Sequence, residues 1–550
     1  MKILKFSIFA IVLLFLSSCQ TLDKKVAPKD KAFVWEGANL YFLLTDRFNN
    51  GTTDNDVNFE RELPTGKLRG FEGGDIRGIT AKIKDGYFTN LGINAIWFTP
   101  VTEQIHGSVD EGTGNTYAYH GYWAKDWTAL DPNFGSMEDL RELVETAHAN
   151  GIRIVMDAVI NHTGPVTDKD PVWDADWVRT GPQCTYDNYK NTIECTLVAN
   201  LPDVKTESTK EVSIPAILAE KWKAEGRYDQ EMKELDAFFA RTGYPRTPKY
   251  HIIKWLCDYI IEFGIDGYRS DTVKHTEESV WADFRKECEY AFALWKKNNP
   301  EKVLDNNGFY SVAEVYNYNI SNKFAYDFGD RKVNYYANGF TDMINFEFKY
   351  NAQSDYETLF SKYSNLLHGD LKGYGVLNYL TSHDDGSPFD RKREKTMESA
   401  TKLLLCPGTS QVYYGDETAR PLLVEGAVGD ANLRTCMNWE DVNSDEQTQA
   451  VLAHWQKLGQ FRRNHPAVGA GIHKMISEKP YVFSRSFVQG NYSDYVVVAL
   501  DLEKGEKEIP VLGFDEGTQL RDAYSGKTVK VKDSAVVLDT DFDIVLLEVL

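Results

Sequence analysis

The chain alternates between short apolar runs that end in polar residues and longer segments with the periodicity of amphipathic helices. Two of the helical segments are SMEDLRELVETAHANG, residues 136–151, and YHIIKWLCDYIIEFG, residues 250–264. The apolar runs are ANLYFLLTDRF, INAIWFTP, IRIVMDAVINH, IDGYRSD, FYSVAEVY, DMINFEF, GVLNYLTSHDD and TSQVYYGDE. Eight strands that alternate with helices predict an α/β protein with a (β/α)8 TIM barrel, whose functional residues follow the C-terminal ends of its strands.

One connection is too long for an ordinary loop. About ninety residues separate the third run, which ends near Asp157, from the helix that begins near Tyr250. We therefore predict an inserted subdomain after the third strand, at residues 159–249. A charged helical run near residues 215–240 belongs to it, and its sequence indicates no function.

The pattern changes again near the C-terminus. After Pro466, short alternating strands are separated by turns, which is typical of antiparallel sheets. We predict a C-terminal β-sandwich domain at residues 459–550, and a barrel formed by residues 36–158 and 250–458.

The composition excludes one class of partner. The 550 residues carry a formal net charge of -21. Nucleic acid requires clustered Lys and Arg to meet its phosphates, so we expect no nucleic-acid partner.

The first residues, MKILKFSIFAIVLLFLSSCQ, have the basic start, apolar run and small residues of a secretory signal, predicted at residues 1–18. LSSC resembles a bacterial lipobox, in which Cys19 is lipidated, and residues 19–35 then form a polar tether. The alternative is an ordinary signal peptide with an incidental cysteine. We expect an exported protein with a lipid anchor, at the outer membrane or cell surface of a Gram-negative bacterium.

Six cysteines follow Cys19, an even number in a chain with an export signal. Cys184 and Cys195 lie close together in a polar, loop-rich stretch and form the best candidate for a disulfide. The other four lie in apolar or helical contexts and are predicted to be buried thiols: Cys257, Cys288, Cys406 and Cys436.

The fourth run, GIDGYRSDTVKH, has two charged residues, Arg269 and Asp271, at its C-terminal end. Residues two apart on a strand share a face, so Arg269 and Asp271 follow apolar residues toward the interior. A structural ion pair would explain this pair alone. Other strand ends, however, carry further polar residues: Asp157, Asn161 and His162 after the third strand, Glu314 after the fifth, and His383 and Asp384 after the seventh.

Carboxylates that converge on one barrel mouth indicate glycoside chemistry. A carboxylate that attacks must stay ionised beside the others, and Arg269 would lower the pKa of Asp271 and fix its rotamer. Glu314 has apolar neighbours, which favours a raised pKa and the role of proton donor.

The blocks GFEGGDIRGITAKI, LGINAIWFTP, YHGYW, DAVINH, LPD, GYRSDTVKH, AEVY, SHDD and VYYGDE occur in the order of the α-amylase family of glycoside hydrolases, family thirteen. The chain resembles secreted bacterial members of this family, in lipoprotein form, from about Leu40 to its C-terminus. The resemblance implies that Asp271 is the nucleophile, Glu314 the general acid and base, and Asp384 the carboxylate that orients substrate hydroxyls.

The resemblance also implies the substrate contacts. Tyr122 would stack on the attacked sugar, and Lys274 and His275 would grip sugars on the leaving side. The same sugar's subsite would be lined by His162, Arg269 and His383, with Asp157 in support.

Calcium follows from the same resemblance. Asn161, Asp203 and the backbone carbonyl of His275 match the ligands of the family's calcium site, and such oxygen ligands suit calcium. The loop NNGTTDNDVN together with GGD resembles a second calcium loop. Its candidate ligands are Asn50, Asp54, Asp56 and Asp75, with a solvated acidic turn as the alternative.

The predicted activity is endo-acting, retaining hydrolysis of α-1,4-glucosidic bonds in starch, glycogen or maltooligosaccharides, with an α-glucan as partner. The alternative is a transglycosylating, pullulan-degrading or cyclodextrin-degrading relative with the same residues. A catalytically inactive glycan-binding member is disfavoured because all three carboxylates are present. Ser382 stands where the animal enzymes have a chloride-binding asparagine, so we expect no chloride activation.

Overall fold

The computed structural model describes residues 33–550, so the predicted signal peptide, Cys19 and most of the predicted tether lie outside the described residues. A closed barrel of eight parallel strands, labelled β1 to β8, forms the centre. The strands are β1 Asn39–Leu43, β2 Ala95–Phe98, β3 Arg153–Ala158, β4 Gly267–Ser270, β5 Tyr310–Ala313, β6 Asp342–Asn345, β7 Gly375–Tyr379 and β8 Thr409–Tyr413. Each predicted apolar run supplies one strand, and the predicted barrel class is confirmed.

Neighbouring strands in the sequence pair around the barrel, and β8 closes it against β1. Every residue of the eight strands is buried, which explains why the runs do not alternate between apolar and polar residues as in a sheet with one exposed face. The register places Arg269 of β4 opposite Asp157 of β3 and Val312 of β5. The polar residues that follow parallel strands therefore meet at one rim of the barrel.

Helices cover the outside of the barrel and part of the insertion. The longer ones are α1 Ile76–Lys84, α2 Met137–Ala149, α3 Ala216–Ala224, α4 Tyr228–Thr242, α5 Pro248–Phe263, α6 Ser279–Asn298, α7 Tyr356–His368, α8 Thr396–Leu405 and α9 Glu446–Asn464. Short α-helices are Thr45–Phe48, Tyr87–Asn90, Lys190–Ile193, Phe348–Asn351, Trp439–Ser444 and Pro466–Ala470. The 3-10 helices are Trp35–Gly37, Thr53–Asn55, Val273–His275, Pro300–Lys302, Ile320–Asn322 and Gly429–Arg434. No helix within residues 33–550 combines the length and hydropathy that crossing a bilayer requires.

The connection from β5 to β6 departs from the regular alternation. This part of the described chain contains no α-helix. It contains the 3-10 helix Ile320–Asn322 and a small antiparallel hairpin of Tyr326–Asp327 and Lys332–Val333. In this irregular segment the rings of Tyr318 and Tyr336 are buried, in the place where the apolar face of a helix would otherwise pack. Aromatic packing thus replaces the expected helix here.

The long connection after β3 folds beside the barrel mouth. Its short strands Val178–Arg179 and Asp203–Val204 pair antiparallel, and Cys184 and Cys195 form the predicted disulfide. Further short strand pairs lie nearby at Thr102–Gln104 with Ala124–Leu130, and Val109–Asp110 with Asn115–Thr116.

Three of the four remaining cysteines are buried thiols, as predicted, but Cys436 is exposed. That prediction was wrong for Cys436 because it follows the 3-10 helix Gly429–Arg434 on a loop instead of entering a core helix or strand.

The charged helical run proves to be α3 and α4, and its charges have fixed partners. Lys221 and Arg227 reach the buried carboxylate of Asp126 at 2.7 and 2.8 Å. On its other face, α4 buries Phe238 and Phe239, and the Phe239 ring lies 5.0 Å from that of His251 on α5. The run therefore fastens the insertion to the outside of the barrel.

The C-terminal domain is antiparallel, as predicted. Its strands are β9 Ile472–Ser477, β10 Tyr481–Gln489, β11 Tyr492–Leu500, β12 Gly505–Pro510, β13 Gln519–Asp522, β14 Thr528–Lys530, β15 Ala535–Thr540 and β16 Val545–Val549. Six of them form one sheet, and β12 pairs with β15 in a second. Apolar residues from both sheets, among them Val497, Ile509, Leu538 and Leu547, share one core between them.

A histidine with two carboxylate partners is one of the links between this domain and the barrel. His465, just after α9, donates from Nδ1 to Asp494 at 2.9 Å and from Nε2 to Glu548 at 2.6 Å. Burial alone would lower the pKa of His465, but the two carboxylates outweigh it and raise the pKa to about 9. An imidazolium, with both nitrogens protonated, is therefore the form that fits this interface.

We expect His465→Gln to lower thermal stability in a pH-dependent way. A raised folded-state pKa contributes stability that is fully present below the unfolded value of about 6.5 and is lost as pH rises through about 9. The contribution has an upper bound of about 3 kcal/mol. Melting curves of both proteins should differ most near pH 6 and converge above pH ~9.5. A difference that stays constant across this range would contradict the ionic role.

Candidate active site

One buried arginine organises the rim of the barrel. Arg269, on β4, is 1% exposed. Its Nη1 donates to Asp157 Oδ1 at 2.9 Å and to Asp271 Oδ1 at 2.7 Å, and its Nη2 lies 3.1 Å from Glu314 Oε2. The planar guanidinium is suited to this because it presents several donors in a fixed fork. Three carboxyl groups from three strands are thereby held around one cation.

Asp157 is the structural partner in this set. Its Oδ2 accepts from Trp97 Nε1 at 3.0 Å and from the Tyr122 hydroxyl at 2.9 Å, in addition to Arg269. Burial raises the pKa of Asp157, and Arg269 counteracts that effect. With its acceptor sites occupied by the protein, Asp157 positions Arg269 and Tyr122.

Glu314 follows β5 and is 8% exposed. Its Oε2 accepts from the backbone N–H of Thr272 at 2.9 Å, and Thr272 adopts the left-handed conformation, with φ of 46°. Burial raises the pKa of Glu314 to about 8, Arg269 opposes this, and the charges of Asp271 and Asp384 add to it. A raised pKa favours the protonated form of this carboxyl group at neutral pH, and the role of proton donor stays a prediction.

Asp384 has a contrasting environment. Its side chain is 39% exposed, toward the mouth of the barrel, and Oδ2 lies 2.9 Å from His383 Nε2. Arg434 donates to Oδ1 at 2.6 Å. Although burial of the group opposes the effect, His383 and Arg434 lower the pKa of Asp384, so this carboxylate stays ionised.

Sequence reasoning missed Arg434. It lies at the end of the 3-10 helix Gly429–Arg434, fifty positions from Asp384, and it also donates from Nε to the His383 carbonyl at 3.1 Å. The strand pattern gave no signal for it because Arg434 belongs to the loop after β8. An arginine beside a predicted catalytic carboxylate could be found only once the loop's path was known.

Aromatic rings complete the floor of the mouth. The rings of Tyr122 and His383 stack at 5.3 Å with an angle of 18°, and His162 donates from Nε2 to the Tyr122 carbonyl at 3.0 Å. Burial lowers the pKa values of His162 and His383, so both imidazoles are neutral at pH 7. The predicted contacts Tyr122, His162 and His383 are thus brought together with Asp157 and Arg269.

Lys274 and His275 lie to one side, against the insertion. Lys274 Nζ donates to the Tyr326 hydroxyl at 3.0 Å, and His275 Nδ1 donates to the Thr192 carbonyl at 3.1 Å. Burial lowers the pKa of His275 to about 4, which makes it a neutral side chain. His275 therefore connects the barrel mouth to the disulfide-bonded part of the insertion, whereas Lys274 contacts the connection between β5 and β6.

The first predicted calcium set has the donor chemistry of an oxygen site. Asp203 is 1% exposed and its Oδ1 has no hydrogen-bond partner. The side-chain oxygen of Asn161, also buried, accepts from the Thr276 hydroxyl at 3.4 Å. Burial raises the pKa of Asp203 to about 9 despite Arg179, whose Nε lies 2.8 Å away. A buried carboxyl oxygen without a partner fits a cation that would share it with the Asn161 and His275 oxygens.

The second set is arranged differently. Asp75 caps α1, since its Oδ1 accepts from the N–H groups of Gly78 and Gly51, at 2.6 and 3.0 Å. Asn50 donates to Asp56 at 2.9 Å. Across residues 33–550, no group of three or more His, Cys, Asp or Glu side chains is arranged to hold a metal, so Asp54, Asp56 and Asp75 do not form such a cluster.

Comparisons with known proteins agree with this geometry. The family model for the alpha-amylase catalytic domain matches residues 42–471. The periplasmic alpha-amylase of Escherichia coli is 35% identical over 534 residues, covering 87% of this chain and 74% of that protein. The cyclomaltodextrin glucanotransferase of Geobacillus stearothermophilus is 28% identical over 481 residues, covering 84% of this chain and 59% of that protein.

Solved structures support the fold. An alpha-amylase from Anoxybacillus superposes with a TM-score of 0.64 at 22% identity, covering 94% of this chain and 99% of that one. The barrel and its rim of carboxyl groups define a glycoside hydrolase. The chain belongs to the alpha-amylase family.

We expect Arg269→Lys to reduce kcat/KM on starch by at least about 100-fold. A lysine is a single point charge and cannot hold Asp157, Asp271 and Glu314 at once. Kinetics should be paired with circular dichroism, and the matched control is Arg141→Lys on the outer helix α2, which should leave activity unchanged. Retention of more than about half the activity by Arg269→Lys would show that the fork is not required.

Proposed function

We propose that this protein is an endo-acting, retaining hydrolase of α-1,4-glucosidic bonds in starch, glycogen or maltooligosaccharides. The observation that carries the proposal is the fork of Arg269, which gathers Asp157, Asp271 and Glu314 while Glu314 holds a raised pKa. Retaining glycoside hydrolysis needs one carboxyl group protonated and a second one ionised at the same site.

In the first step, Asp271 attacks the anomeric carbon while Glu314 donates its proton to the leaving glycosidic oxygen. The Asp271 side chain is 6% exposed and its Oδ1 is anchored on Arg269, so the group has one orientation at the mouth. Asp384, more exposed and ionised, accepts hydrogen bonds from hydroxyls of the attacked sugar, which strengthen in the transition state.

In the second step, Glu314 accepts a proton from water, whose oxygen bonds to the anomeric carbon and displaces the Asp271 carboxylate. The charge of Asp271 is consumed when that bond forms, which removes one cause of the raised pKa of Glu314 and favours its ionised, basic form. Tyr122 stacks beneath the sugar, and His162 and His383 supply neutral hydrogen-bonding groups.

The alternative function differs in the acceptor, because a transglycosylating relative gives the glycosyl group to another sugar instead of water. Relatives named cyclomaltodextrin glucanotransferase and cyclomaltodextrinase support it. Product profiles on amylose, pullulan and cyclodextrins separate the two. Cyclic or elongated products would favour the transferase.

We also propose export and a structural calcium ion. The Escherichia coli relative is named as periplasmic, which supports export, and lipidation at Cys19 remains a sequence-based prediction. Asn161, Asp203 and the His275 carbonyl would hold calcium between the barrel and the insertion, where the ion supplies charge and cross-linking rather than chemistry.

Asp271→Asn and Glu314→Gln should each lower kcat on starch by about 10²-fold or more, because neither amide can attack or donate a proton as the acid does. Glu142→Gln on the outer face of α2 is the matched control and should retain wild-type rates. Circular dichroism checks folding. If either active-site amide keeps more than about a tenth of the wild-type rate, its assigned role is wrong.

The first products should be α-anomers, since two inversions at the anomeric carbon restore its configuration. Proton NMR within the first turnovers reads the anomer directly. Amylose should also shorten before small sugars accumulate, because Lys274 and His275 hold sugars on the leaving side. A β-anomer would exclude double displacement, whereas early release of glucose alone would exclude endo action.

Chelation should lower the melting temperature of the wild-type protein, because a ligand that binds only the native state stabilises it by mass action. Asp203→Asn should melt near the chelated wild type and respond little to chelator. Metal analysis confirms that the ion is removed. An unchanged melting temperature after complete removal would eliminate the calcium site from the proposal.

A further inference from the structure

A cavity of about 200 Å³ opens at the end of the barrel opposite the active site. It lies where strands begin: Gly37 precedes β1, Asn94 precedes β2, and Gly151 precedes β3. The end of α9 supplies the remaining wall. The carboxyl groups of the proposed mechanism follow the strands' other ends, so this cavity is separate from them.

Three arginines line this cavity, and none of its lining residues is acidic. Arg153, at the start of β3, donates to Asp305 at 2.6 Å. Arg462 donates instead to the carbonyls of Leu404 and Cys406, at 3.0 and 2.8 Å. The cavity is therefore cationic in a chain whose net charge is -21.

Arg463 is similar to Arg462 in its partners. Its Nη1 and Nη2 donate to the carbonyls of Ile93 and Asn150, both at 3.2 Å. Carbonyl oxygens satisfy donors but do not neutralise charge. The C-terminus of α9 favours nearby cations by its dipole, yet that partial charge does not balance two guanidinium groups.

The pKa values of Arg462 and Arg463 also indicate that their positive charges have no anionic partner. Burial lowers the pKa of Arg462 to about 9 and also lowers that of Arg463, on which Arg153 acts in the same direction. The Nε atoms of Arg153 and Arg462 are buried and have no hydrogen-bond partner. Both arginines are at least nine-tenths buried, so bulk water does not solvate the unpartnered Nε groups.

We propose that this cavity binds a phosphate group. A phosphate supplies the missing negative charge and several acceptor oxygens, and guanidinium forks match its geometry. Two sources carry this chemistry, a free phosphate and the headgroup of an anionic phospholipid. Phe33 and Val34, near the end of the predicted tether, also line the cavity, and the Arg153 guanidinium carbon lies 3.6 Å from the centroid of the Phe33 ring.

Calorimetry of the full chain with inorganic phosphate tests the site. Wild type should bind, and Arg463→Gln should bind at least tenfold more weakly. Arg463→Lys keeps the charge but loses the fork, and should lie between them. Arg246→Gln on the insertion is the matched control and should bind as wild type does. Circular dichroism spectra and melting temperatures should be equal in all four, which verifies folding independently of the proposed function.

Vesicle sedimentation then identifies the source, using the full chain with Cys19→Ser so that no lipid is attached. Binding to phosphatidylglycerol but not phosphatidylcholine vesicles, with competition by phosphate, assigns the cavity to a membrane headgroup. Phosphate binding without vesicle binding supports the site and assigns it to free phosphate. No phosphate binding by wild type, or undiminished binding by Arg463→Gln, would overturn the proposal.

Discussion

The site depends on the ion contacts of Arg269 with Asp157, Asp271 and Glu314. Three carboxyl groups in a buried site repel one another, and without a central cation the fold could not keep any of them ionised at low cost. The arginine also sets their orientations, because its donors occupy fixed directions. Removal of this one side chain would leave three acidic groups uncompensated at the end of the barrel.

The neighbours of Glu314 and Asp384 give these two carboxyl groups different protonation states. Glu314 is buried beside Asp271 and Asp384, which favours its protonated form although the backbone N–H of Thr272 opposes this. Asp384 has His383 and Arg434 as partners and stays ionised. Different loops supply these partners, since Thr272 follows β4 and Arg434 follows β8. The barrel thus brings together charges that are far apart in the sequence, and the loops determine which of them holds a proton.

The strands and the acidic residues were predictable from the sequence because both are local signals. A strand buried on both faces is mainly apolar, and the charged residues that follow its C-terminal end lie at the rim. The disulfide was predictable from the short spacing of Cys184 and Cys195. Fold and family are confirmed, while the roles of Asp271, Glu314 and Asp384 remain proposals.

Features set by long-range packing could not be predicted. Arg434 reaches Asp384 only through the path of the loop after β8. The described connection between β5 and β6 has no α-helix, and it buries Tyr318 and Tyr336 instead. The prediction was wrong for Cys436 because this residue lies on a loop after the 3-10 helix Gly429–Arg434 and is exposed. The role of the charges on α3 and α4 could not be predicted, because their partner Asp126 is about a hundred positions away in the sequence.

The central claim is that the proton of Glu314 is retained at neutral pH. Carbon-13 NMR of protein labelled at glutamate carboxyl carbons measures it, because the resonance that is absent in Glu314→Gln belongs to this group. The account predicts a titration midpoint near 8, as burial and the neighbouring carboxylates require. A midpoint at or below the ordinary glutamate value of about 4.3 would contradict it.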